Sequence, residues 1–382
     1  MAGKGPQYDR RRILTGAGSA GLASLAGCAA AREALLGSSD DGDAEAADDE
    51  NDGNEFDDNV RADANAYIGM VYSTGGLDDK SFNDLAHRGV QRMKLERGIS
   101  FAYREPSSPE EMPGYQQEFA ESTSPNYDLV CCIGFDHVSG LQENADEFPD
   151  QKFAIVDSVV DKDNVASYAF KEHQGSFLGG YLAAGLTSRD VAAGSGETRP
   201  DASTVGFVGG IETEVIRRFE AGFLAGVDHH EADVDVLTEY VGGFGDIEGG
   251  KAAAERMYDE GADIVYHAAG GTGLGVFQAA QERGRFALGV DSDQSRSNPR
   301  YSDVIVASMT KQVHTAVSRA IASVLDDEFQ GGSVVELGLE ADGVSLVYGS
   351  QLGSAVPNEL QTEIEDIQAS IVSGDIEVPR QP

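Results

Sequence analysis

From residue 66 onward, short apolar runs alternate with stretches in which apolar residues recur every three or four positions. The runs at 67–72 (YIGMVY), 99–103, 129–133, 153–156 and 165–170 read as strands, with helices predicted over 81–97 and 109–122. Those at 129–133 and 153–156 show no polar alternation, which suits parallel strands buried on both faces. A second series follows. It has helices at 175–186, 214–227, 246–260 and 272–284, and strands at 204–208, 234–240, 263–267 and 286–290. A strand at 304–308, a helix at 311–326, strands at 334–337 and 344–347, and a helix at 357–373 complete it, with a short extension at 376–378. Repeated strand–helix units of this length imply an α/β chain of doubly wound parallel sheets. Two series imply two lobes, with a ligand at the carboxyl ends of the strands. Residues 189–203 read as a surface loop.

The first 63 residues break this pattern. Residues 9–14 read DRRRIL, residues 14–26 are an uncharged Gly/Ala-rich apolar run, and LAGC follows at 25–28. A basic start, an apolar run too short to span a bilayer and small residues before a cleavage point describe an export signal over 1–27. The paired arginines resemble the twin-arginine signal, and LAGC resembles a lipobox whose Cys28 would carry the lipid. Residues 28–63 then read as an acidic tether, because a segment with so few apolar residues cannot offset its ordering entropy. The expected location is extracytoplasmic, on the outer face of the cell membrane.

Charge narrows the classes. The 382 residues hold 66 acidic and 28 basic side chains, a formal charge of −38, which repels phosphate backbones and argues against nucleic acid as a partner. Residues 40–58 hold 11 of these acids, yet the chain after residue 60 still carries 53 acidic against 23 basic side chains. That net of −30, with 8 Lys against 20 Arg, resembles the surfaces of halophile proteins, where concentrated salt screens the repulsion. No apolar run in the body is long enough to span a bilayer, and three cysteines make no disulfide framework.

Motifs for chemistry are few. GDIEGGK (245–251) has the glycine and lysine spacing of a phosphate loop, but Ala252 replaces the magnesium-binding hydroxyl and Asp246 and Glu248 would face the phosphates. GGTGLG (270–275) lacks dinucleotide spacing and serves as well for a tight turn. His229–His230 is the one histidine pair, and adjacent helical residues point apart, so no metal site is expected. Cys131–Cys132 lies in a strand expected to be buried. Polar and aromatic residues instead cluster just after apolar strands: DDKSFN (78–83), Gly134–Phe135, Asp157, FKEH (170–173), GFGD (243–246), GVDSD (289–293) and Ser308 to Lys311. One such cluster would be a helix cap, as Asp79 or Ser81 could be. Seven at equivalent positions point into one cleft.

Those segments resemble the basic membrane protein family of substrate-binding lipoproteins, which includes purine-nucleoside receptors of ABC importers. The resemblance covers about 66–380 and rests on the order DDKSFND (78–84), FKEHQGSFLGGYLAA (170–184), VGFVGG (205–210), FEAGFLAGV (219–227), GFGD (243–246), GADIVYHAAGGTGLGV (261–276), LGVDSDQ (288–294) and ASMTKQV (307–313). It implies the type I periplasmic-binding-protein fold, two Rossmann-like lobes joined by a three-strand hinge. The expected division is 64–171 with 303–327 in one lobe and 172–302 with 328–382 in the other. By this resemblance Phe82 and Phe244 sandwich a base, Ser81, Asn83 and Glu172 bond its edge, Asp291 and Lys311 hold ribose hydroxyls, and Gly270 or Gly271 gives backbone contact. The implied partners are a small-molecule ligand, an ABC permease and its ATPase, with no cofactor and no chemistry performed. Gly243 stands where the motif often has Ser. Alternatives remain: riboflavin or a sugar on the same scaffold, a nucleoside hydrolase using Asp78–Asp79, or a transcriptional sensor.

Overall fold

The computed structural model describes residues 63–199, 201 and 203–382, together with the backbone of Arg12–Ile13. The rest of the export signal, Cys28 and nearly all of the acidic tether lie outside the described residues.

The chain builds two sheets of mainly parallel strands. The first series comprises β1 (Tyr67–Val71), β2 (Ser100–Arg104), β3 (Leu129–Ile133), β4 (Phe153–Val156) and β5 (Val165–Phe170), connected through α1 (Phe82–Arg97), α2 (Met112–Glu121) and α3 (Val138–Glu147). After α4 (Glu172–Thr187) come β6 (Thr204–Gly209), α5 (Glu214–His229), β7 (Asp235–Tyr240), α6 (Ile247–Asp259), β8 (Ile264–Ala268), α7 (Gly273–Arg283) and β9 (Phe286–Asp291). The last elements are β10 (Ile305–Lys311), α8 (Val313–Leu325), β11 (Val334–Leu337), β12 (Val344–Tyr348) and α9 (Asn358–Ser373). The first sheet runs β11–β5–β4–β3–β1–β2, all parallel. The second runs β7–β6–β8–β9–β10–β12, antiparallel only between β10 and β12, with Arg12–Ile13 beside β7. Every residue of β3 and β4 is buried, as their uninterrupted apolar sequence requires.

The chain passes between the sheets three times: from β5 into α4, from β10 into α8, and from β11 into β12. Two limits of the expected lobes shift as a result. Residues 305–311 pair with β9 in the second sheet and so fall outside the first lobe, where 303–327 had been assigned. Conversely 334–337 pairs with β5 in the first sheet, although 328–382 was expected in the second lobe. Between them α8 packs on α1 and against β3 and β4. The reason is that β10 is apolar on both faces (IVASM), which satisfies either sheet equally well in a sequence pattern.

Other differences are local. α3 and the turn before it were not expected, because VSGLQENADE carries few apolar residues and a glycine. α4 begins at Glu172, three residues before the predicted start. The loop at 189–203 contains a small hairpin, Ala192–Ala193 with Gly196–Glu197. It is fastened by buried Asp263, which accepts from Thr187 Oγ1 at 2.9 Å and from the Arg199 backbone N–H at 2.7 Å. The stretch 376–378 forms no strand.

Candidate functional site

The strand ends converge on a cavity between the sheets, enclosing about 660 Å³ of space that is partly open to solvent. Phe82, Asn83 and Asp157 line it from the first lobe, Phe244, Gly270, Gly271 and Asp291 from the second, and Lys311 from the second crossing. These include seven of the nine residues expected at a ligand site. Ser81 and Glu172 are fully buried and lie off the lining.

Each is placed by local chemistry. Asp79 accepts backbone N–H bonds from Ser81 and Asn83, both at 2.8 Å, and from Asp84 at 3.2 Å, so it caps α1 and fixes the direction of Phe82 and Asn83. Burial pushes its carboxyl up to about 6, against those three donors. The Asn83 amide is oriented by the Ser73 backbone N–H, which donates to Oδ1 at 3.1 Å. Its Nδ2 is buried without a hydrogen-bond partner. Phe244 precedes Asp246, whose carboxylate caps α6 by accepting from Gly249 N–H at 2.9 Å. Its carbonyl accepts from Thr272 N–H at 2.9 Å, which seats Phe244 beside Gly270. A Cβ at Gly271 would sit 3.3 Å from the Phe244 carbonyl oxygen. The phosphate-loop spacing has a packing cause: a Cβ at Gly250 would collide with the Thr272 carbonyl, and one at Gly275 with that of Ile247, so these glycines press α6 onto α7. Lys251 pairs with Glu282 at the surface at 2.8 Å.

Among the described residues Lys311 is the one cation on the lining, and it is 2% exposed. Its Nζ lies 2.6 Å from Asp157 Oδ1 and 3.4 Å from Glu172 Oε1, and 5.3 Å from the Phe82 ring centroid. Phe170 and Phe219 stand at similar distances, 5.1 and 5.3 Å. Burial disfavours this ammonium, but Asp157, Glu172 and Asp291 outweigh it and hold Lys311 above its usual value. Asp291, at φ +63°, accepts from Ser81 Oγ at 2.5 Å across the cleft. Burial lifts its carboxyl, with Lys311 and the Ser81 bond opposing. Glu172 sits behind Lys311, with Arg218 Nη1 at 3.5 Å. Burial raises Glu172 to about 7, against the pull of Lys311.

Sequence reasoning missed part of the wall. Val215, Ile216 and Phe219 of α5 line the cavity, as does Asp136, beside Gly134 and Phe135, which were expected at the cleft and line it too. Phe135 meets Phe244 edge-on across the lobes, with centroids 6.1 Å apart. Phe219 opens the FEAGFLAGV segment, where it reads as one more core residue of an amphipathic helix. Asp136 directly follows a cluster singled out at Gly134–Phe135, which was the available signal.

The site thus presents aromatic faces and carboxylates around one committed cation, an arrangement for binding a flat ligand rich in N–H and O–H donors. Comparison with known proteins identifies the family. Residues 67–382 match the Bmp family, described as ABC transporter substrate-binding protein PnrA-like. A lipoprotein of Pyrococcus abyssi is 35% identical over 289 residues, 72% of this chain and 68% of its own. The ABC transporter nucleoside-binding protein BmpA of Lactococcus lactis is 30% identical over 339 residues, 84% of this chain and 90% of its own. An ABC transporter solute-binding protein from Aeropyrum pernix superposes with a TM-score of 0.72 at 28% identity, covering 82% of this chain and 94% of its own. The chain belongs to the Bmp family of ABC transporter substrate-binding proteins.

Proposed function

We propose that this substrate-binding protein is a nucleoside receptor, that the nucleoside is a purine, and that it binds between the lobes and is passed to the permease unchanged. The observation that carries the reading is the pair Phe82 and Phe244, which line one cavity from opposite lobes beside Asp291 and Lys311. Two aromatic faces suit a base, each contact worth about 1–3 kcal/mol. A vicinal diol suits Asp291, whose carboxylate accepts two hydrogen bonds, with Lys311 as donor. Asn83 Nδ2, buried without a partner, supplies a donor to the base edge. Ser81 and Glu172 act from behind, Ser81 by holding Asp291 and Glu172 by balancing Lys311. Gly270 and Gly271 let the ligand approach the backbone beside Phe244. The same reading places the protein outside the cytoplasm, exported by the signal at 1–27 and anchored through Cys28.

A melting experiment tests this. Guanosine or inosine at a hundredfold excess over Kd stabilises the folded chain by about 2.7 kcal/mol and raises Tm accordingly. Ribose and glucose leave Tm unchanged. A rise with sugars and none with nucleosides overturns the assignment.

A further inference from the structure

Four carboxylates line the cavity: Asp79, Asp136, Asp157 and Asp291. Three are engaged. Asp79 takes the backbone N–H groups at the start of α1, Asp157 takes Lys311, and Asp291 takes Ser81. Asp136 alone of the four has no side-chain partner among the described residues, and burial with nothing to offset it raises its carboxyl above the usual range. Its position is fixed from both sides. Gly134, at φ +115°, turns the chain out of β3 and donates its N–H to the Val156 carbonyl at 2.9 Å. Phe135 then packs on Phe244, and His137 is fully buried, accepting from Gln116 Nε2 at 2.9 Å and donating to the Tyr72 carbonyl at 3.1 Å. Asp136 is therefore an acceptor whose neighbours are anchored at the wall, next to an aromatic contact that spans the lobes.

A second unused group lines the same wall. Asn83 Nδ2 is a donor with no hydrogen-bond partner, and the Ser73 backbone N–H bound to Oδ1 prevents the amide from turning over. Asn83 and Asp136 thus both line the cavity from the first lobe, one carrying an unpartnered donor and the other an acceptor. A 6-oxopurine offers the complement along one edge: O6 accepts, and N1–H donates beside it. Guanine adds the 2-amino group, so a carboxylate takes two parallel N–H bonds. Adenine reverses the pattern at these atoms, and its N1 lone pair would face a carboxylate.

We propose that Asp136 reads the purine edge and selects 6-oxopurine nucleosides, guanosine ahead of inosine and both ahead of adenosine. The proposal rests on the nucleoside reading above. Calorimetric titration of the full chain with each nucleoside tests it. Wild type binds guanosine at least about tenfold more tightly than adenosine, and 1-methylguanosine, which lacks the N1–H, falls to the adenosine level. Asp136→Asn weakens guanosine by about tenfold to a hundredfold and leaves adenosine within about twofold, with the unliganded Tm unchanged. Equal affinities for guanosine and adenosine in wild type, or tight binding of 1-methylguanosine, overturn the role of Asp136. So does a loss in Asp136→Asn that is the same for every nucleoside. Absence of binding by all nucleosides to wild type defeats the nucleoside reading itself and this proposal with it, which separates the two failures.

Discussion

The residues around Lys311 show how a buried cation is made tolerable: Asp157 and Glu172 take its charge, and three phenyl rings surround it. Such a cluster was half legible. Asp291 and Lys311 stand at strand ends, where polar residues after an apolar run signal a cleft. That Glu172 and Ser81 lie behind the wall depends on helix rotation by a fraction of a turn, which sequence spacing does not resolve. Buried histidines give a test at this scale. His267 is enclosed, with Nε2 against Gln294 Oε1 at 2.9 Å, and burial pushes it down to about 4. The unfolded chain takes up that proton near 6.5, so the stability His267 confers is complete above pH 6.5. It is lost progressively as the pH falls to about 4. Burial raises Asp79 to about 6 and Glu172 to about 7, and these act in the opposite sense, favouring the folded state as pH falls. A comparison with His267→Gln isolates the histidine. The variant gains on wild type by up to about 1.4 kcal/mol per pH unit between 6.5 and 4 in denaturant titrations. A difference independent of pH would show that His267 protonates freely.

At the scale of elements, the segments FKEHQGSFLGGYLAA and FEAGFLAGV become α4 and α5, and Gly180, Gly222 and Gly226 are where the two helices touch. A Cβ at Gly180 would collide with the Phe223 carbonyl, at Gly222 with that of His173, and at Gly226 with that of Phe177. The segments that carry family likeness therefore hold packing as well as binding residues. Gly179 is different, since a Cβ there meets only Leu288 Cδ1 at 3.8 Å. Gly180→Ala is expected to cost about 1–3 kcal/mol or more by forcing the helices apart. Gly179→Ala is expected to be neutral or to stabilise by up to about 1 kcal/mol through helix propensity. Equal effects of the two in urea unfolding would contradict this account of the helix contact. Strands such as β3, β4 and β11 were readable to the residue because apolar runs bounded by polar turns admit one length. α3 was not, because its largely polar sequence is held by long-range contacts, among them the Pro113 carbonyl and Gln116 side chain of α2, which Asn144 contacts at 2.9 Å.

For the whole molecule, three crossings join the lobes, and contacts span the cleft at Ser81–Asp291 and Phe135–Phe244. In a two-lobed fold joined by crossings, a ligand favours closure by touching both lobes. The sheet to which each crossing strand belongs was the part of the architecture that pattern could not settle. The apolar positions of β10 and β11 suit either sheet, and only long-range pairing assigns them. On the proposed function, a nucleoside closes this cleft by stacking between Phe82 and Phe244. The most direct measurement is a titration of the full chain and its Phe82→Ala variant with guanosine, followed by calorimetry. Wild type is expected to show one site per chain, weakened by about 1–3 kcal/mol in the variant while its unliganded Tm is retained. Unchanged affinity in Phe82→Ala, or one-to-one binding of glucose or riboflavin with no heat from guanosine, would contradict it.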